Sequence, residues 1–165
     1  MNVPALLLIP AVLFLQNSLG APIGRFSAEL YAILVLAIVL RTERGYRMPV
    51  AAILGLLADF FSGGRFAGFA LSFSVAALLT SACNVYVSAE NPVGRFFLSG
   101  VFLLASRAIF LVFADSSMTF SALPDALLNG LASAVANGVL AVFLIPAFAS
   151  LVTVGKKSVT YSAES

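Results

Sequence analysis

Long apolar runs alternate along this chain with short breaks that hold nearly all its charge. The runs are Val3–Leu19, Ala28–Leu40, Pro49–Phe61, Phe66–Val87, Phe96–Ala114 and Leu123–Val154. A soluble domain of 165 residues that is 61% apolar and only 10% charged would lack the polar surface water requires. The mean hydropathy of +1.08 says the same, so lipid has to stand in for the missing charge. A transmembrane helix takes about 20 residues, which leaves room for roughly six. The expected fold class is therefore all-α: a polytopic six-helix transmembrane bundle over 1–155, followed by a short polar tail, 156–165.

The second and third runs are short for an upright crossing at about 1.5 Å per residue. They are expected to borrow flanking residues or to sit where the bilayer is locally thin. Gly, Pro and charge mark the breaks: Gly20-Ala21-Pro22, Arg41 to Pro49, Gly63-Gly64-Arg65, Glu90-Asn91-Pro92 and Asp115 to Pro124. Pro124-Asp125 reads as the first turn of the last helix, while Pro10 and Pro146 fall inside spans and should bend them. Ser18-Leu19-Gly20-Ala21 resembles a signal-peptide cleavage region, but no Lys or Arg precedes the first run, so that run is expected to remain as a span.

Cytoplasmic loops collect Lys and Arg. With six spans, Arg41, Arg44, Arg47, Arg95, Lys156 and Lys157 share one side with the amino terminus, against Arg25 and Arg65 on the other. Both termini are thereby expected in the cytoplasm. The net charge of +2 does not point to nucleic acid. Histidine is absent and Cys83 is the sole cysteine. That removes the commonest general base and metal ligand, rules out an internal disulfide and leaves Cys83 as a small buried hydrophobe. Neither a nucleophile–base pair nor a phosphate loop is visible; no enzymatic activity, cofactor or metal site is expected.

Ionisable residues inside spans are costly and tend to face the bundle interior. Asp59 and Arg107 stand out. Asp59 lies ten residues beyond Pro49 and Arg107 twelve beyond Arg95, about 15 and 18 Å of helical rise. They are expected to meet in the outer half of the bilayer as a structural ion pair. Asn129 on the last run reaches the depth of Arg107 and would complete an outer-half polar cluster of Asp59, Arg107 and Asn129; Asn137 is a further candidate for hydrogen bonding across the bundle. Small residues recur every fourth position at Ala51, Gly55, Asp59 and Gly63, at Gly68, Ser72, Ala76, Thr80, Asn84 and Ser88, and at Ala126, Gly130, Ala134 and Gly138. Such stripes allow close helix approach. Most of the 15 phenylalanines read as lipid-facing filler, with Phe60-Phe61 and Phe96-Phe97 placed to touch a partner's helix.

The stretch Gly55-Leu56-Leu57-Ala58-Asp59-Phe60-Phe61-Ser62-Gly63, continuing through Gly68 to Ala70-Leu71, resembles the MreD family of bacterial rod shape-determining membrane proteins. That family's pattern is an apolar span ending in G-L-x-x-D-x-x-S/A-G, a glycine-containing turn, then A-L opening the next span. Here Gly68 comes one residue late, with Ala67 in the glycine's place. The resemblance implies a non-enzymatic scaffold of the cell-elongation and peptidoglycan-synthesis machinery in the bacterial cytoplasmic membrane. It implies binding to an MreC-like single-span protein, action with RodA and a penicillin-binding transpeptidase, and an indirect link to MreB. Gly55, Asp59, Gly63 and Gly68 become the structural signature. The family is also thought to resemble the substrate-binding subunits of ECF-type transporters in its helical architecture. A vitamin- or metabolite-binding transporter subunit is therefore the alternative, with a lipid-handling enzyme behind it.

Overall fold

The structure, a computed structural model, describes residues 9–16, 29–62, 67–114 and 123–151. Among these residues the fold is helical throughout, with no strand. Helix α1 is seen over 9–16, followed by α2 (Leu30–Arg41), α3 (Arg47–Ser62), α4 (Gly68–Cys83), α5 (Pro92–Ala114) and α6 (Leu123–Leu151). A single 3-10 turn, Arg44–Tyr46, joins α2 to α3.

Local chemistry sets the helix ends. Helix α5 opens on Pro92, whose missing N–H costs nothing in a first turn, and Asn91 Oδ1 accepts the Val93 N–H at 2.9 Å. Its start therefore lies four residues before the apolar run at Phe96. Pro124 falls in the first turn of α6, as expected. Helix α2 stops where Thr42 turns extended, its N–H bonding to the carbonyls of Ile38 and Val39.

Helix α2 is the hub. Every residue from Tyr31 to Val39 is buried, and a helix apolar on all sides needs neighbours on all sides. It packs against α3, α4, α5 and α6. Successive helices α3 to α6 lie against one another in order, and α6 returns to α2.

Among the described residues each apolar run holds a helix, and two of these have the length and apolarity of a membrane crossing: α5 over Pro92–Val112 and α6 over Leu128–Leu151. Helices α2 and α4 have 12 and 16 residues, which gives about 18 and 24 Å against a hydrocarbon core of about 30 Å.

Small residues set the closest approaches. A Cβ on Gly130 would sit 3.4 Å from Arg107 Cδ, and one on Gly138 would sit 3.0 Å from the Phe96 ring, so this stripe of α6 faces α5. Ser72, Ala76 and Thr80 of α4 are wholly buried. The phenylalanines divide differently from the expectation of lipid-facing filler. Phe73 and Phe102 lie in the core, where ring contacts run from Tyr31 to Phe73 and on to Phe102, with Phe69 bridging Phe73 and Phe110. Phe60 and Phe143 remain largely exposed.

Candidate functional site

The motif residues build the α3–α4 hairpin. A Cβ on Gly55 would meet Ala70 Cα at 2.5 Å and Phe69 O at 2.6 Å, so only glycine lets the backbone of α4 settle here. One turn further along α3, the Asp59 carboxylate reaches the same segment. Oδ1 accepts the Phe69 N–H at 2.9 Å, and Oδ2 accepts the Ala70 N–H at 3.1 Å. First-turn N–H groups have no partner within their own helix, and the helix dipole favours an anion there. Asp59, only 5% exposed, thus caps α4 from the neighbouring helix. Ala67 stands just before α4 with φ 70° and ψ 8°, the left-handed region that suits glycine. It is the position where the family pattern carries glycine. Gly68 opens α4; Gly63 lies outside the described residues.

Arg107 finds a different acid. Its Nη1 lies 3.3 Å from Glu29 Oε1, at the residue before α2. Ser133 Oγ donates to the same oxygen at 3.4 Å, and Asn137 Nδ2 donates to Ser133 Oγ at 3.1 Å and to the Ser133 carbonyl at 3.0 Å. The Glu29 N–H in turn donates to Asn137 Oδ1 at 2.9 Å, and the Tyr31 N–H donates to Gln16 Oε1 at 2.7 Å. Side chains from α1 and α6 therefore satisfy N–H groups at the start of a buried helix, where water cannot. Tyr31 Oη donates to the Leu54 carbonyl at 2.6 Å and ties α2 to α3.

A second polar level lies at the other end of α2. Buried Arg47 donates to the Thr42 carbonyl at 3.0 Å and to Ser81 Oγ at 2.8 Å. Arg95 donates to the carbonyls of Ala89, Glu90 and Val142. Val142 is the residue four before Pro146, whose ring supplies no N–H to that carbonyl; Arg95 takes over as its donor. The two levels have a common spacing: Glu29 and Arg41, Asp59 and Arg47, and Arg107 and Arg95 are each twelve residues apart, about 18 Å along a helix. Between them the interior is apolar apart from the buried hydroxyls of Ser72, Ser74, Thr80, Ser99 and Ser106.

The expected Asp59–Arg107 pair therefore gives way to two separate arrangements. The short α3–α4 connection presents α4's free N–H groups to Asp59, whereas α5 and α6 meet α2 at Glu29 and hold Arg107 there. Asn129 is exposed and hydrogen-bonds to none of these groups; on α6 the buried polar residues are Ser133 and Asn137, each 1% exposed. Glu29 stands at the start of an apolar run whose average hydropathy conceals it. An acid at the head of the run Ala28–Leu40 was the available signal. No protein-family model, curated protein or solved structure matches this chain.

Proposed function

We propose that the chain is a multi-pass bundle of the bacterial cytoplasmic membrane, with both termini cytoplasmic, that serves as a non-enzymatic scaffold of the MreD kind in cell elongation. The observation that carries this reading is the use made of Gly55 and Asp59. Two residues of the motif that suggested the family form a structural joint between consecutive helices, the role a scaffold signature requires.

Several features support the membrane part. In the most apolar stretches of α5 and α6, 28% and 33% of residues are buried, unlike core helices of a water-soluble domain. Phe143, Val112 and Leu128 on these helices are each at least 66% exposed, which suits lipid. Glu29, Arg107, Ser133 and Asn137 bond to one another, and the Ser72, Ser74, Ser99 and Ser106 hydroxyls donate to backbone carbonyls, in keeping with polar groups inside a membrane. Arg41, Arg44, Arg47 and Arg95 gather at one level, in keeping with a cytoplasmic face. An apolar groove of about 210 Å³ between α5 and α6, bounded by Phe96, Phe97 and Leu131 over open Gly100, suits the single helix of an MreC-like partner.

Three experiments test the reading. Affinity purification from a rod-shaped host should recover an MreC-like protein together with RodA and its transpeptidase, and depletion should round the cells. Unchanged cell shape on depletion, together with a vitamin-sized molecule retained after purification, would instead favour the transporter-subunit alternative. Reporter fusions should place both termini in the cytoplasm.

A further inference from the structure

The second polar level encloses a cavity of about 350 Å³ between the end of α2, the residues preceding α5 and the Pro146 segment of α6. That volume falls within the range of small-ligand sites, about 300–1,000 Å³. Arg41 and Arg95 both line it, and Glu90 is the acid among its described lining residues. Ala37, Ile145 and Ala149 give it an apolar floor.

The two arginines differ in what holds them. Bonds to the Ala89 carbonyl at 2.9 Å, Glu90 carbonyl at 2.8 Å and Val142 carbonyl at 3.4 Å fix the Arg95 guanidinium in place. A guanidinium carries five N–H donors, so two remain uncommitted. Arg41, in the last turn of α2, is exposed and has no ion-pair partner among the described residues. Two like charges on one cavity repel unless an anion lies between them, and one carboxylate offsets only one of them. Planar guanidinium groups match phosphate oxygens in pairs, and the apolar floor suits the glycerol and first methylenes of a lipid.

We infer that this cavity binds a phosphate-bearing anion, supplied by the headgroup of an anionic phospholipid. The inference rests on the membrane reading above and adds a specific lipid site to it. On the cytoplasmic leaflet, anionic lipid is the ligand such a basic pocket meets. The Pro146 break has a role here too: it frees the carbonyl that anchors Arg95 at the cavity wall.

The test uses the full chain in nanodiscs of phosphatidylcholine doped with phosphatidylglycerol, with retained lipid counted by native mass spectrometry. Preferential retention of phosphatidylglycerol is expected. Arg41→Gln should lower that retention about fivefold, the worth of one arginine near an anionic surface, and Glu90→Gln should raise it. The Arg41 side chain makes no hydrogen bond or ion pair among the described residues, so its variant should keep full helicity by circular dichroism. A parallel arm adds inorganic phosphate to protein in neutral detergent. Arg41-dependent thermal stabilisation there, without lipid retention, would uphold the phosphate chemistry and assign it to the free anion. Equal phosphatidylglycerol retention by wild type, Arg41→Gln and Glu90→Gln, with no effect of phosphate, would overturn the site. A chain that does not enter nanodiscs fails the membrane reading itself; one that enters without discriminating headgroups fails only the pocket.

Discussion

Replacing Asp59 separates the two ways its charge can be used. Its carboxylate is 5% exposed and makes bonds of 2.9 and 3.1 Å to backbone N–H groups of α4. Hydrogen bonds to a charged acceptor contribute about 1.5–3 kcal/mol each, and a buried donor left without a partner costs about 1–3 kcal/mol. Asp59→Ala removes both acceptors, so a loss of about 3–4 kcal/mol is expected once the recovered desolvation of the carboxylate is set against it. Asp59→Asn keeps one acceptor and loses the charge at the helix end, for about 2 kcal/mol. Reversible unfolding in mixed micelles, followed by far-UV circular dichroism, measures both. Combining Asp59→Asn with Arg107→Gln should be additive within about 0.5 kcal/mol, since the two side chains have different partners. Glu29→Gln with Arg107→Gln should instead couple by about 1 kcal/mol. Their contact is 3.3 Å with side chains 24% and 38% exposed, between the surface and buried regimes. Strong coupling of Asp59 to Arg107, with Glu29 and Arg107 additive, would refute the capping role and restore the pair expected from the sequence.

Other substitutions probe the same joints by the same unfolding assay. Gly55→Ala drives a methyl into the backbone of α4 and should cost about 2–3 kcal/mol, whereas Gly100→Ala, with open space around it, should gain about 0.5–1 kcal/mol from helix propensity. Ala67→Gly should stabilise by about 0.5–1 kcal/mol, because relief of the left-handed strain outweighs the added freedom of the unfolded chain. Thr80 Oγ1 is buried without a hydrogen-bond partner, so Thr80→Val should raise stability by about 1 kcal/mol; a loss there would mean that the hydroxyl is satisfied in the folded protein.

The two polar levels bear on how such a bundle would sit in lipid. Their separation of about 18 Å is well short of a hydrocarbon core of about 30 Å, yet the apolar stretches of α5 and α6 run to 21 and 24 residues. The longer helices present a full apolar height on the outside while the short α2 is enclosed. Apart from Arg41, the polar groups at its two ends are met by protein, so on the membrane reading bilayer thinning would not be required to reach them.

The apolar runs by themselves determined that the chain is helical and where its helices lie, because run length and the Gly, Pro and charge between runs are local properties. Pro124 and the small-residue stripes carried their roles legibly for the same reason, whereas Pro92 read only as part of a break although it opens α5. Helical rise also put Asp59 and Arg107 at matching levels. What rise does not give is direction around the helix axis, or which helices are neighbours. Two acids, Asp59 and Glu29, stand at the level of Arg107, and only packing chose between them. The packing of α4 against α3 brought unpartnered N–H groups to Asp59, and the enclosure of α2 by α5 and α6 brought Arg107, Ser133 and Asn137 to Glu29. The link between Arg95 and the carbonyl freed by Pro146 likewise joins residues far apart in sequence. Each is a pairing across helices, decided by which faces meet when the short central helix is buried on every side.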